Sequence, residues 1–199
     1  MDPIPHPPLV MIQLTTARLR LEPITGHHLD AMNAMNSDPE VMRYLSGKPE
    51  SRAETMAVIE RIQARWADTG YSWWAAMALD TGELVGAGAL QNLRREMTLL
   101  PDPSCPLEMG WRLSRAHWGR GLASELAIAI RDFAFETQAA DELLAVCDPD
   151  NTASAAVMQR IGMQPQGLQH WYGKELTTYR ITAPQWRAHA AARDATPAR

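Results

Sequence analysis

The chain has 199 residues, 46% of them hydrophobic and 21% charged, with a formal net charge of −4 at neutral pH. That length and apolar content suffice for one sizeable core, so a single domain is expected. The acidic balance excludes a protein that grips nucleic acid by electrostatics, and no apolar run is long enough to span a membrane. Two cysteines, Cys105 and Cys147, make no disulfide framework, and eleven methionines fit a reduced interior. Met1 to Pro8 holds four prolines and a histidine but no basic region followed by an apolar one. That does not fit a signal peptide, and a cytoplasmic location is expected.

In chain order, residues 1–12 read as a flexible arm, 13–185 as the domain, and 186–199 as a C-terminal helix and tail. Arg18 to Glu22 alternates charge with Leu19 and Leu21, a first strand with one buried face. Thr25 can cap a helix whose Leu29, Met32 and Met35 share a face. Asp38-Pro39 starts another short helical turn. Ser51 and Glu54 form a capping box. It opens a helix with Met56, Ile59, Ile62 and Trp66 as its inner stripe, ended by Thr69-Gly70. Trp73 to Leu79 and Glu83 to Leu90 are strands around the turn Asp80-Thr81-Gly82. Their many Ala and Gly residues predict close packing under helices.

Residues 91–106 read as a polar, proline-bearing loop. Leu107 to Leu113 is the fourth strand, and Leu143 to Cys147 a buried strand parallel to it, because a helix joins the two. Asn151 or Thr152 caps a helix that stops at Gly162. Strands at about 165–172 and 175–182 follow, and Pro184 to Ala192 reads as a last helix.

The stretch from Glu108 to Glu125 organises the rest. A strand passes through two glycines, Gly119 and Gly121, into a helix with Leu122, Leu126, Ile130 and Phe133 on one face. Unpaired N–H groups and the helix dipole at such a terminus suit an anion, and glycines let phosphate oxygens approach the main chain. A P-loop would need a longer glycine span ending in Lys, and no Lys follows Gly121. A dinucleotide fingerprint would need a third glycine where Ser124 stands. The third candidate ligand is coenzyme A.

Trp118-Gly119-Arg120-Gly121-Leu122-Ala123 resembles the pyrophosphate loop of the GNAT N-acetyltransferase superfamily, Arg/Gln-x-x-Gly-x-Gly/Ala. Trp118 takes the first position, Gly121 the fourth and Ala123 the last. The Trp departs from the general pattern but is familiar in the branch that looks like the ribosomal-protein-alanine N-acetyltransferases. Thr16 to Leu21, Asp38 to Leu45, Asn151 to Ser154 and Ile161 to Met163 resemble the same branch in the same order. The resemblance spans residues 15–182.

It implies a mixed α/β fold: a central, mostly antiparallel twisted sheet of about seven strands, flanked by helices. Its parallel pair, 107–113 and 143–147, is splayed. It implies acetyl-CoA as cosubstrate and no metal, and the histidines show no metal spacing. The main chain of His117 to Ala123 would hold the pyrophosphate, with Ser124 beside it. The pantetheine arm would run between Trp111-Arg112-Leu113 and the strand 143–147, with Asn151 on its amide. An N–H near Met109 to Trp111 would polarise the thioester carbonyl. Glu108 is the candidate base, acting through water, and Ser154 would sit near the sulfur.

Glu108 also reads as a structural strand residue, and Asn151 and Ser154 as helix caps. Met158 stands where many relatives have an acidic Tyr, and a thioether donates no proton. Ser154, water or another group then protonates the thiolate. Tyr44, Trp73 and Tyr172 are acceptor-site candidates, with core packing as the competing role. Cys147 reads as a buried small residue, not a nucleophile.

The expected activity is acetyl transfer to a primary amine, either a protein N-terminal α-amine or a small molecule, by direct attack in a ternary complex. The alternatives are a non-catalytic acyl-CoA-binding or regulatory domain and a dinucleotide-binding oxidoreductase. The expected partner is the amine acceptor, with no nucleic acid or membrane, on a monomer or homodimer.

Overall fold

The computed structural model describes residues 12–97 and 102–194. The predicted arm, up to residue 11, and the tail 195–199 lie outside the described residues. The elements run β1 (Leu14–Thr15), β2 (Leu19–Pro23), α1 (Leu29–Asn36), α2 (Pro39–Met42), α3 (Arg52–Thr69), β3 (Trp73–Ala78), β4 (Leu84–Asn92) and β5 (Leu107–Leu113). Then come α4 (Leu122–Glu136), β6 (Glu142–Cys147), α5 (Thr152–Arg160), β7 (Gln164–Trp171), β8 (Lys174–Thr182) and α6 (Ala183–Asp194).

Local chemistry sets these limits. Ser51 Oγ accepts from the Glu54 N–H at 3.2 Å, and Glu54 returns the bond to Ser51 N–H at 2.7 Å, so α3 starts on the predicted capping box. It ends at Gly70, whose φ of 75° is the left-handed stop that a side chain would resist. Thr25 caps a 3-10 turn, Gly26–His28, that leads into α1, so the predicted cap lies one turn earlier than α1 itself. The last helix begins at Ala183 and so crosses the expected boundary at residue 186.

Eight strands form one sheet in the order β1-β2-β3-β4-β5-β6-β8-β7. The additional strand is β1, two residues paired with Leu21 and Arg20, too short to leave a periodicity. Every neighbouring pair is antiparallel except β5–β6. β4 and β5 stay in register from Gly86↔Leu113 to Asn92↔Leu107, whereas β5 and β6 keep a single Cα pairing, Glu108↔Leu144. The parallel pair therefore opens past Glu108, as the resemblance implied.

α4 packs on the sheet face that carries Gly88. A Cβ there would lie 2.4 Å from Ile130 Cδ1, so the Ala/Gly-rich strands do mark close helix packing. Trp74 sits edge-on to Phe133 of α4 and Trp66 of α3, at 5.4 and 5.0 Å between centroids. α6 lies against α4: Trp186 stacks on Phe135 at 5.2 Å and its indole N–H donates to Asp132 at 2.8 Å. Alternation along β5 puts Glu108, Gly110 and Arg112 on the face away from Gly88, with Gln91 and Trp73 beside them. Among the described residues no helix is long and apolar enough to cross a membrane.

Candidate active site

Past the single β5–β6 pairing lies a cleft of about 820 Å³. It wraps the free edge of β5, so Trp111 from one face and Arg112 from the other both line it. One wall is the glycine loop and the first turn of α4, another is α5, and the segment around Tyr44 after α2 covers the far end. Gly119 and Gly121 have φ of 72° and 77°, conformations that favour glycine, and Gly121 is the N-cap of α4. No side chain caps that helix. Its first-turn N–H groups therefore face the cleft with the positive end of the dipole behind them, a fit for a diphosphate.

The loop is held from outside. Arg18 and Glu125 form an ion pair at 2.6 Å, Thr16 Oγ1 donates to Glu125 at 2.6 Å, and Arg18 Nη1 donates to the Arg120 carbonyl at 2.9 Å. Burial alone would raise the Glu125 pKa, but the Thr16 hydroxyl and the Arg18 side chain and N–H together hold it below the usual range. Inside the loop, Trp118 donates its indole N–H to the Leu113 carbonyl at 2.8 Å, and His117 Nδ1 lies 2.7 Å from Ser114 Oγ. On the α5 wall, Asn151 Oδ1 accepts from Ser154 N–H at 3.1 Å, so Asn151 is the cap of that helix. Arg160, at the other end of α5, donates to Ser124 Oγ at 2.8 Å.

A second polar group lies further along β5. Glu108 is 8% exposed. Its Oε2 accepts from the Tyr172 hydroxyl in a short bond and from Gln91 Nε2 at 3.2 Å. Oε1 has no protein donor among the described residues. Burial drives the Glu108 pKa above the usual range, against the Tyr172 and Gln91 bonds and the charges of Arg94 and Arg65, which pull it down. Gln91 is itself fixed by Arg65 Nη1 at 2.7 Å and by the Trp73 indole N–H at 3.3 Å. Tyr172 has φ of 55° in the β7–β8 turn, and its N–H bonds to the Arg94 carbonyl at 2.8 Å, which brings the phenol back over the sheet.

The sequence profile of the acetyltransferase (GNAT) domain matches residues 18–164. The chain belongs to the GNAT acetyltransferase family. YkkB of Bacillus subtilis (strain 168), an uncharacterized protein, is 30% identical over 169 residues, 84% of this chain and 94% of that one. The crystal structure of an acetyltransferase from Agrobacterium tumefaciens str. C58 superposes with a TM-score of 0.72 at 29% identity, over 91% of this chain and 98% of that one. RimL, a ribosomal L7/L12 alpha-N-protein acetyltransferase in complex with coenzyme A, shares the fold with a TM-score of 0.68 at 16% identity, over 86% and 98% of the two chains. As a GNAT domain with acetyltransferase relatives, the chain is an acetyl-CoA-dependent acetyltransferase.

On this GNAT scaffold the expected residues divide into two sets. Trp111, Arg112, Leu113, His117, Trp118, Gly119, Gly121, Leu122, Ala123, Ser124, Asn151, Ser154 and Tyr44 all line the cleft. Arg120 does not, because its carbonyl is turned outward to Arg18. Glu108, Trp73 and Tyr172 meet around Gln91, outside the cleft lining. Met158 is buried at 2% exposure, so nothing at that position donates a proton. Burial, with the Asp148 charge, pushes the Cys147 thiol up to about 11, which suits the packing role. No cluster of His, Cys, Asp or Glu among the described residues could hold a metal.

Sequence reasoning missed Arg160, Gln91 and Arg65. Arg160 follows α5 residues already singled out, one turn beyond Val157, and helical spacing places it on the same face. Gln91 could have been found as the strand partner of Glu108. Arg65 had no local signal.

Proposed function

We propose that this GNAT enzyme moves the acetyl group to a primary amine by direct attack in a ternary complex. The observation that carries the reading is the opening of β5 from β6 beside the uncapped start of α4. A diphosphate on the amides of the 119–124 turn leaves its neutral arm aligned with the bare edge of β5. Ser124, fixed by Arg160, keeps that guanidinium near the same anion.

In this reading Glu108 takes the proton that the amine loses, through a water on its free Oε1. Its raised pKa brings it toward the working pH, where a base is most effective. The amine nitrogen bonds to the thioester carbon, a β5 amide near Gly110 holds the oxyanion, and the C–S bond breaks. Ser154 lies on the cleft wall to meet the thiolate, whose low basicity demands little help.

A second reading, an acyl-CoA-binding domain without turnover, draws on the buried Met158. Thiol release from acetyl-CoA on a panel of small amines and N-terminal peptides separates the two. Release with at least one amine is expected. Tight acetyl-CoA binding with no release on any of them would establish the second reading.

A further inference from the structure

Arg112 is a cation that the protein leaves unanswered. Among the described residues its guanidinium makes no hydrogen bond and no ion pair, and its Nε is fully buried without a partner. It rests on the face of Trp73, 4.9 Å from the ring. The acidic group that acts on it is Glu50, which stays beyond ion-pair distance and whose Oε2 accepts from Asn36 Nδ2 at 2.9 Å. A guanidinium partly taken from water without an acceptor is costly, and a ligand in the cleft can supply one.

The direction in which Arg112 leans decides which ligand. Its own strand partner is Ala87, whereas Trp73 lies opposite Ala89 and, through it, Gly110. A guanidinium over Trp73 therefore leans across β4 toward the Ala89 row, away from the glycine loop at the other end of β5. A Cβ at Gly110 would meet nothing within 4 Å, so the space beside the guanidinium is open. Arg112 itself lines the cleft, as does Tyr44. The part of acetyl-CoA that runs beside β5 there is uncharged, so it does not supply the missing anion.

We propose that Arg112 anchors a carboxylate on the acceptor, so that the acceptor is an amine carrying its own carboxylate a few bonds away. This rests on the acyl-transfer reading above. Glu108 and Arg112 flank Gly110, each about 7 Å along the strand from it. An amine directed to the glutamate and a carboxylate directed to the arginine then bracket the open space over the glycine. The planar guanidinium fork suits a carboxylate held by two parallel bonds, and Trp73 keeps the fork flat. A free amino acid and an acidic side chain near a peptide N-terminus both present this chemistry.

The experiment compares free amino acids, their carboxamides, and short amidated peptides with or without an acidic second residue. Turnover is followed by thiol release, and binding of N-acetylated amino acids to the CoA-loaded protein by calorimetry. Carboxylate-bearing amines are expected to have KM values about 30- to 100-fold below their carboxamides, the range of a charge-assisted bidentate contact. Arg112→Gln is expected to abolish that ratio, and Arg112→Lys to keep part of it. Gly110→Ala, which the fold has room for, is expected to raise the acceptor KM. Preference for the free amino acids or for the acidic peptides names the source of the carboxylate.

Equal KM values for acids and amides, or a ratio unchanged in Arg112→Gln, overturn the proposal even though turnover stands. Absence of turnover with any amine defeats the acyl-transfer reading. The calorimetry then still decides: carboxylate binding lost in Arg112→Gln supports the anchor, and no carboxylate binding in either protein overturns it.

Discussion

Glu125 and Glu108 carry the same carboxyl group and end in opposite states. Glu125, at the start of α4, accepts from Thr16, from the Arg18 N–H and from the Arg18 guanidinium, and its pKa is lowered. Glu108, at the mouth of the β5–β6 opening, is buried with neutral donors on one oxygen only, and its pKa is raised. The outer side of the glycine loop is finished by the protein's own bonds, while the first-turn N–H groups of α4 stay open toward the cleft. On the Glu108 side, among the described residues, Nε of Arg112 and Nε of Arg65 are buried without a partner.

The sharpest way to break this contrast is Glu108→Gln. Turnover is expected to fall by about 10²- to 10³-fold, the span of a lost general base, with the acetyl-CoA KM little changed. In the wild type, kcat/KM should rise with pH along a limb set above 4.5, the ordinary value for Glu, and this limb should vanish in the variant. Stability tests the same carboxyl independently. A raised folded-state pKa contributes stability below 4.5 that is lost as pH climbs through the raised value. The Tm of Glu108→Gln relative to wild type should therefore improve steadily from acid to neutral pH. An unchanged rate with a flat Tm difference would remove both the role and the contrast.

Gly121→Val tests the other end. A β-branched residue at φ 77° is strained by about 1 to 3 kcal/mol and blocks the approach of an anion. The new Cβ would touch Arg18 Nη2 only at 3.5 Å, so the clamp survives. The acetyl-CoA dissociation constant should rise about 30-fold or more, read by calorimetry, with less effect on the acceptor KM. A smaller effect is expected from Glu125→Gln. Arg18 is half exposed, so the loss should be about 1 to 2 kcal/mol in a urea titration at pH 7. Because the Glu125 pKa is lowered, the difference should shrink as pH falls below 4.5, opposite in sign to the Glu108 series.

The cofactor end was legible in the sequence because its parts are contiguous. A strand, two glycines and an apolar helical stripe sit within eighteen residues, from Glu108 to Glu125. Each obeys a local rule of spacing or backbone freedom. The Ser51–Glu54 box and the Gly70 stop were legible for the same reason. Glu108, Trp73 and Tyr172 were legible one by one, but their meeting around Gln91 was not. Arg65, Gln91, Glu108 and Tyr172 come from a helix, two strands and a hairpin turn, and only tertiary pairing unites them. Nothing in the sequence indicates that the Arg112 side chain lies over Trp73, across β4. β1 escaped notice because two residues hold no period.

The strand order carries a consequence for how this molecule is made. β8, near the end of the chain, lies between β6 and β7, and it alone brings β7 into the sheet. Until the ribosome has released Lys174 to Thr182, the apolar strand Leu143–Cys147 has one raw margin that invites a neighbouring polypeptide. The same late segment completes the hairpin whose turn delivers the Tyr172 phenol to Glu108. Protection from misassembly and formation of the Tyr172–Glu108 bond thus arrive together during synthesis, so a truncated product is expected to be insoluble before it is inactive.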